Sequence, residues 1–92
     1  MGIELVATPT RQEVEGRLIE LTTEIAKIPR ERIVNGATFE GNLRMESIAF
    51  VEIHVALEDE YDIEVDPLQV IELNEFGAIV DYVHRQIVEA RR

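Results

Sequence analysis

The first regular pattern of apolar positions lies in the amino-terminal third of the chain and has helical spacing. Thr10 and Glu13 have the spacing of a capping box, in which each side chain bonds to the backbone N–H of the other residue. Apolar residues then recur at steps of three and four positions, at Val14, Leu18, Leu21, Ile25 and Ile28. This pattern predicts a first helix over residues 10–26, which ends before Pro29 because a residue that precedes proline disfavours helical backbone.

The helical pattern is lost in the next segment, residues 29–46. This segment contains two turn signals, Asn35-Gly36 and Gly41-Asn42. Its apolar residues have no helical spacing, and Ile33, Phe39 and Leu43 are candidate isolated anchors. Irregular connections of this length are uncommon in compact domains and are usually functional or disordered. The isolated apolar residues favour a loop that packs against the helices.

The following segment is apolar on two sides of a helix. A helix from Ser47 to about Tyr61 places one set of apolar residues on one face, at about 100° per residue: Phe50, Ile53, Leu57 and Tyr61. Three more, which we call the outer stripe, fall on the opposite face: Ile48, Val51 and Val55. Glu52, Glu58 and Asp59 flank this stripe. One apolar face is enough to join a bundle, so the outer stripe is either buried against the loop or open as a docking surface.

The remaining third of the chain predicts two further helices. Ile63-Glu64-Val65 resembles a strand but is too isolated to form a sheet. Asp66-Pro67 is typical of a helix start and predicts a short third helix over residues 68–71. Asn74 is expected to cap a fourth helix, whose apolar stripe has helical spacing: Phe76, Ile79, Val80, Val83 and Ile87. We therefore expect an all-α four-helix bundle in one domain, residues 1–92, with its core within residues 10–88.

Composition and charge narrow the classes of function. The chain has 92 residues, a net charge of −10 and no cysteine, so disulfide scaffolds, cysteine-ligated zinc and thiol catalysis are excluded. No Lys or Arg lies between Arg44 and Arg85, where eleven of the nineteen acids are found. Such a surface disfavours nucleic acid and anionic lipid and suits basic partners, although solubility alone also accounts for it. No signal peptide and no run of ~20 apolar residues is present, which predicts a cytoplasmic, soluble protein. We also expect the protein to be a monomer.

Candidate chemistry centres on Ser47, because a helix start offers free N–H groups and a partial positive charge that suit a phosphate. His54 is not a base for Ser47, since seven helical residues separate them by roughly 10 Å whereas a nucleophile and its base need about 3 Å. We expect His54 and His84 to be partly exposed surface residues. Asp62, Glu64 and Asp66 resemble the start of a calcium loop, but Pro67 and Leu73 occupy ligand-loop positions that require Gly and Glu. No metal site and no catalytic set are predicted.

Several runs of the sequence together form a known pattern: Leu43-Arg44-Met45-Glu46-Ser47-Ile48, Val51-Glu52-Ile53, Ala56-Leu57-Glu58, Glu60-Tyr61-Asp62-Ile63-Glu64-Val65 and Asp81-Tyr82-Val83. These runs resemble the acyl carrier proteins, whose signature is Asp-Ser-Leu at the start of the second helix. Phe39 upstream and Val70, Leu73 and Phe76 downstream extend the similarity to about three quarters of the chain. The first helix fits less specifically.

This resemblance implies a carrier without catalytic machinery of its own. Ser47, flanked by the carboxylate of Glu46, would be the attachment residue for 4′-phosphopantetheine. A separate Mg²⁺-dependent phosphopantetheinyl transferase would supply that group from coenzyme A, whose β-phosphate the serine hydroxyl attacks. The terminal thiol of the arm then holds an acyl-type group as a thioester, loaded by a ligase or an acyltransferase. The family's docking surface for basic biosynthetic enzymes would comprise Ile48, Val51, Glu52, Val55, Glu58 and Asp59.

The sequence departs from the family pattern around the attachment residue. Glu46 replaces Asp, Arg44 stands where Gly is common, and His54 replaces an aliphatic residue. Ala49 and Phe50 replace residues that are often acidic and small polar. These differences indicate a specialised carrier serving a dedicated pathway. Two other functions stay open from the sequence: an aminoacyl or peptidyl carrier loaded by an adenylating ligase, and an unmodified acidic adaptor in which Ser47 is only a helix cap.

Overall fold

The computed structural model describes residues 8–39, 41 and 43–91, and within them four α-helices form a bundle. They are α1 (Arg11–Ile25), α2 (Ser47–Tyr61), α3 (Pro67–Leu73) and α4 (Phe76–Ala90). α1 packs against both α2 and α4, while α3 packs against α4. The predicted all-α fold is confirmed.

The ends of α1 and α3 form where the local sequence predicts them. The Glu13 N–H donates to Thr10 Oγ1 at 3.1 Å and the Thr10 N–H donates to Glu13 Oε1 at 2.9 Å, which completes the capping box. At α3 the Leu68 N–H donates to Asp66 Oδ1 at 3.0 Å, and Pro67 is the first helical residue. α3 continues to Leu73, two residues beyond the predicted end.

One predicted cap is wrong. Asn74 ends α3, with a φ of 60°, and does not begin α4; the residue at the N-cap of α4 is Glu75. Asparagine tolerates left-handed backbone better than most residues do, which suits it to the end of a helix as well as to the start. The start of α2 at Ser47 agrees with the prediction, and the N-cap position before it belongs to Glu46.

The core is mainly aliphatic and contains residues from every helix and from the long loop. Phe76, Val80, Val83 and Ile87 of α4 and Val14 of α1 are fully buried. α2 contributes Ile53 and Leu57, as its inner face predicts. The three loop residues predicted as apolar anchors, Ile33, Phe39 and Leu43, are also buried, so the loop packs as predicted. It contains in addition a short 3₁₀ turn, Arg30–Arg32, that its sequence did not indicate.

Backbone hydrogen bonds tie the loop to the start of α4. The Phe76 N–H donates to the Ala37 carbonyl at 2.8 Å, the Gly77 N–H donates to the Asn35 carbonyl at 2.8 Å, and the Phe39 N–H donates to the Asn74 carbonyl at 2.9 Å. A Cβ on Gly77 would lie 3.2 Å from Asn35 atoms, so glycine permits this close approach. The loop that leads into α2 is thereby fixed against the start of α4.

Candidate functional site

Ser47 lies at an exposed helix start that the loop holds in place. The residue before Ser47 is Glu46, which has an extended backbone conformation and whose side chain makes no capping hydrogen bond. The Met45 N–H donates to the Phe39 carbonyl at 3.0 Å, and the Phe50 N–H donates to the Glu46 carbonyl at 3.0 Å. The N–H groups in the first turn of a helix have no acceptor within it and carry partial positive charge. The serine hydroxyl is therefore exposed beside groups that stabilise an anion.

A groove opens beside Ser47 between α2 and α3. Its volume is about 360 Å³, and its lining is mainly apolar: Phe39, Met45, Ser47, Phe50, Val51, Pro67, Val70, Ile71 and Asn74. A phosphate-linked arm on Ser47 needs an accessible hydroxyl, donors near the phosphate and space for an extended chain. The helix start and the groove supply these, so the residues present fit such a group.

The outer stripe is open. Ile48, Val51 and Val55 are 73%, 56% and 48% exposed, which excludes the alternative that both apolar faces of the second helix are buried. α3 adds Leu68 and Ile71, which are 71% and 51% exposed and which the sequence analysis did not single out. Their spacing of three residues is a helical signal, but a seven-residue helix is too short for periodicity to separate its faces.

The flanking carboxylates differ in their surroundings. Glu52 and Asp59 are exposed, as a docking role requires. Glu58, by contrast, accepts a hydrogen bond from the Val65 N–H at 2.8 Å through Oε2, and the same oxygen lies 3.3 Å from His54 Nε2. Glu58 therefore connects α2 to the segment that precedes α3.

Both histidines have intramolecular contacts. The His54 side chain is 15% exposed, so it is partly exposed as predicted, and it lies beside Glu58. His84 is half-buried, with Nε2 at 3.1 Å from the Pro9 carbonyl oxygen.

The acidic segment before α3 serves the helix start. Asp66 of the calcium-like run caps α3. Within residues 8–39, 41 and 43–91, no three His, Asp or Glu side chains are grouped so that they could hold a metal ion.

Glu58→Ala is expected to lower the free energy of unfolding by about 1–2 kcal/mol, because the Val65 N–H loses its acceptor. Glu52→Ala, at an exposed position on the same helix, is expected to change it by less than about 0.5 kcal/mol. Urea denaturation followed by circular dichroism measures both. Equal losses in the two variants would contradict the structural role of Glu58.

Comparison with known proteins agrees with this geometry. Residues 16–83 match the family described as phosphopantetheine attachment site. The acyl carrier protein of Buchnera aphidicola subsp. Schizaphis graminum is 32% identical over 73 residues, which cover 79% of this chain and 92% of that protein. The acyl carrier protein of Acidothermus cellulolyticus is 28% identical over 81 residues, covering 88% and 96% of the two chains.

None of the helices that the structure describes is both long enough and apolar enough to cross a membrane.

Three findings lead to the same assignment: the helical fold, the groove beside an exposed serine and the matched sequences. The chain belongs to the acyl carrier protein family, whose members are carriers and not enzymes and hold 4′-phosphopantetheine covalently.

Proposed function

We propose that this protein carries an acyl-type intermediate as a thioester on a 4′-phosphopantetheine arm attached to Ser47. The observation that carries the proposal is the position of Ser47: an exposed hydroxyl on the first residue of α2, at the end of the groove between α2 and α3. When attached, the arm supplies the thiol that the cysteine-free chain lacks. The protein's own residues present the hydroxyl, stabilise the phosphate through the helix start and guide partner enzymes.

The proposed docking surface comprises the outer stripe together with Glu52 and Asp59. An exposed apolar strip edged by carboxylates suits enzymes whose surface is basic around an apolar centre. Leu68 and Ile71 on α3 extend the same surface across the groove, so a partner bound there would cover the attachment residue. A phosphopantetheinyl transferase and the enzymes that load and unload the arm are the partners we propose for it.

The departures from the family pattern favour a specialised carrier that serves one biosynthetic pathway. Arg44 adopts left-handed backbone, with a φ of 52°, at a position where glycine is common in the family. The Phe50 ring packs edge-on against Phe39, with the ring centroids 6.4 Å apart, and lines the groove beside Ser47. Both residues alter the immediate surroundings of the arm and hence the partners and cargo that fit there.

The test is incubation of the full chain with coenzyme A and a broad-specificity phosphopantetheinyl transferase, followed by intact-mass measurement. The expected result is a gain of one phosphopantetheine group. The modified protein is then offered acyl-coenzyme A substrates with an acyltransferase, and amino acids with an adenylating ligase, to distinguish the two kinds of carrier. No mass gain with several transferases would overturn the proposal and favour an unmodified adaptor.

Val51→Asp is expected to slow modification or loading at least about tenfold, equivalent to about 1.4 kcal/mol of lost transition-state binding. The reason is that it places a carboxylate in the centre of the outer stripe, against the apolar centre of the partner's surface. Since Val51 is 56% exposed, the fold should be retained. Ala90→Asp, which adds the same charge at an exposed position of α4, serves as the control and should be modified normally. Steady-state rates and circular dichroism measure both effects. A loss of helicity in Val51→Asp would instead assign the stripe to the core.

A further inference from the structure

The basic residues near Ser47 are separated from the acidic surface. Lys27, Arg30, Arg32 and Arg44 all lie in residues 27–44, at the end of α1 and in the long loop. Arg11 forms an ion pair with Asp81, and Arg17 forms ion pairs with Glu60 and Glu20. Within the part of the chain that the structure describes, Lys27 and Arg44 have no such carboxylate partner. The same segment contains two acids, Glu31 and Glu40, so its four cations leave it with a net charge of +2 on a chain whose net charge is −10.

These residues line a cleft beside the start of α2, which we call the basic cleft. Its volume is about 470 Å³, and its cations are Lys27, Arg32 and Arg44. The remaining lining is apolar except for one carboxylate: Ile25, Ala26, Ile28, Leu43, Ala49 and Glu46. Arg32 also borders Val34, an apolar side chain that is 58% exposed. The surface thus combines positive charge with apolar contact area.

The backbone gives an independent sign that the cations are placed there at some cost to the fold. Among the described residues, four that are not glycine adopt left-handed backbone: Lys27, Arg44, Asp62 and Asn74. Asp and Asn tolerate this conformation because their short side chains bond locally, whereas Lys and Arg lack that compensation. Both residues without the compensation line the basic cleft.

The helix dipoles explain only one of the two cations. Lys27 follows the end of α1, where a positive charge is favourable. Arg44 lies three residues before the start of α2, where a positive charge is unfavourable. The left-handed backbone and the dipole of α2 therefore both disfavour Arg44, and its guanidinium forms no ion pair among the residues that the structure describes. Strained residues of this kind are concentrated at binding sites.

We propose that the basic cleft docks a carboxylate-rich segment of a partner protein. A segment is favoured over a small free anion because the cations are exposed, so a single small anion would gain little from any one of them in water. An acidic segment with an apolar residue can contact several cations at once and cover Val34 or the apolar floor.

The basic cleft and the outer stripe have opposite charge preferences and lie on either side of Ser47 in the sequence. A partner that presents a basic surface to α2 and an acidic segment to the loop would be fixed in one orientation over the attachment residue. This second surface does not depend on attachment at Ser47, so it can be tested in the unmodified protein.

The experiment is an ¹⁵N NMR titration of the full chain with a short peptide in which glutamates alternate with leucines. The expected result is a set of shifts at Lys27, Arg32, Val34 and Arg44 that weakens as salt is added. A matched peptide with glutamine in place of glutamate should not bind.

The double variant Lys27→Gly/Arg44→Gly should bind the glutamate peptide about tenfold more weakly than the wild type does. Its Tm should be no lower than that of the wild type, because glycine adopts left-handed backbone freely.

Two controls keep the result specific. Arg85→Gln removes an exposed cation on α4 and should bind as the wild type does. Arg44→Asn, in which asparagine also tolerates left-handed backbone, should lose part of the affinity that the double glycine variant loses. Equal binding of the glutamine peptide, unchanged affinity in the Lys27 and Arg44 variants, or shifts confined to other surfaces would overturn the proposal. Equivalent shifts with inorganic phosphate alone would assign a small-anion site and overturn it as well.

Discussion

Ser47→Ala is expected to abolish attachment of 4′-phosphopantetheine while leaving the fold unchanged. Ser47 is the only serine in the chain, and its side chain is exposed on the first residue of α2, where alanine is readily accommodated. Removing the hydroxyl removes the nucleophile, so the expected effect on modification is complete and not graded. Intact-mass measurement after incubation with coenzyme A and a transferase gives the result, and circular dichroism verifies the fold.

Ser47→Thr is the matched variant, because it keeps a hydroxyl but adds a methyl group at the helix start. It should be modified more slowly than the wild type. Slow modification would show that the rate depends on the position and accessibility of the hydroxyl as well as on its presence. The alternative nucleophiles are the threonine hydroxyls, of which Thr22 is fully buried and donates to the Leu18 carbonyl at 2.7 Å. A mass gain that persists in Ser47→Ala would place the attachment site at one of these and contradict the assignment of Ser47.

Phe76→Ala is expected to lower the free energy of unfolding by about 3–5 kcal/mol, since the fully buried ring would leave a cavity at the centre of the bundle. Its centroid lies 6.1 Å from that of Phe39, so the substitution also weakens the packing of the loop. A domain of this size is stable by about 5–15 kcal/mol, so a large share of its stability would be lost. Thermal and urea unfolding measure the change.

Phe50→Ala provides the comparison for this core prediction. The Phe50 ring also contacts Phe39, but it is only partly buried and lies at the groove. Its loss is expected to be roughly half that of Phe76→Ala, because less apolar area leaves water. A smaller loss in Phe76→Ala than in Phe50→Ala would contradict the description of the core.

The sequence predicted the elements whose signals are local. Two helix starts depend only on residues within one turn: the capping box of Thr10 and Glu13, and the Asp66-Pro67 pair. The local order of the residues is therefore enough to predict them. The inner and outer faces of α2 follow from helical spacing, and the exposure of Val51 agrees with the open alternative. Ser47 stood out because it begins a helix.

Features that depend on contacts between distant residues could not be predicted. The Glu58 carboxylate resembled its exposed neighbours in sequence, and only the fold places it beside the Val65 N–H. Asn74 carries the same cap signal for the end of one helix as for the start of the next. The left-handed backbone of Arg44 is imposed by the packing of the loop, because the residue itself disfavours that conformation.

The hydrogen bonds that join the loop to residues 74–77 also determine when, during synthesis, Ser47 becomes available for modification. Ser47 leaves the ribosome well before Phe76 and Gly77, whose N–H groups bond to the Ala37 and Asn35 carbonyls. A nascent chain that ends before these residues lacks the contacts that hold the segment ahead of α2. We therefore expect the serine to become a transferase substrate only once α4 has emerged from the ribosome. The arm would then be attached to folded bundles and not to growing chains. Efficient modification of a chain truncated at residue 73 would contradict this expectation.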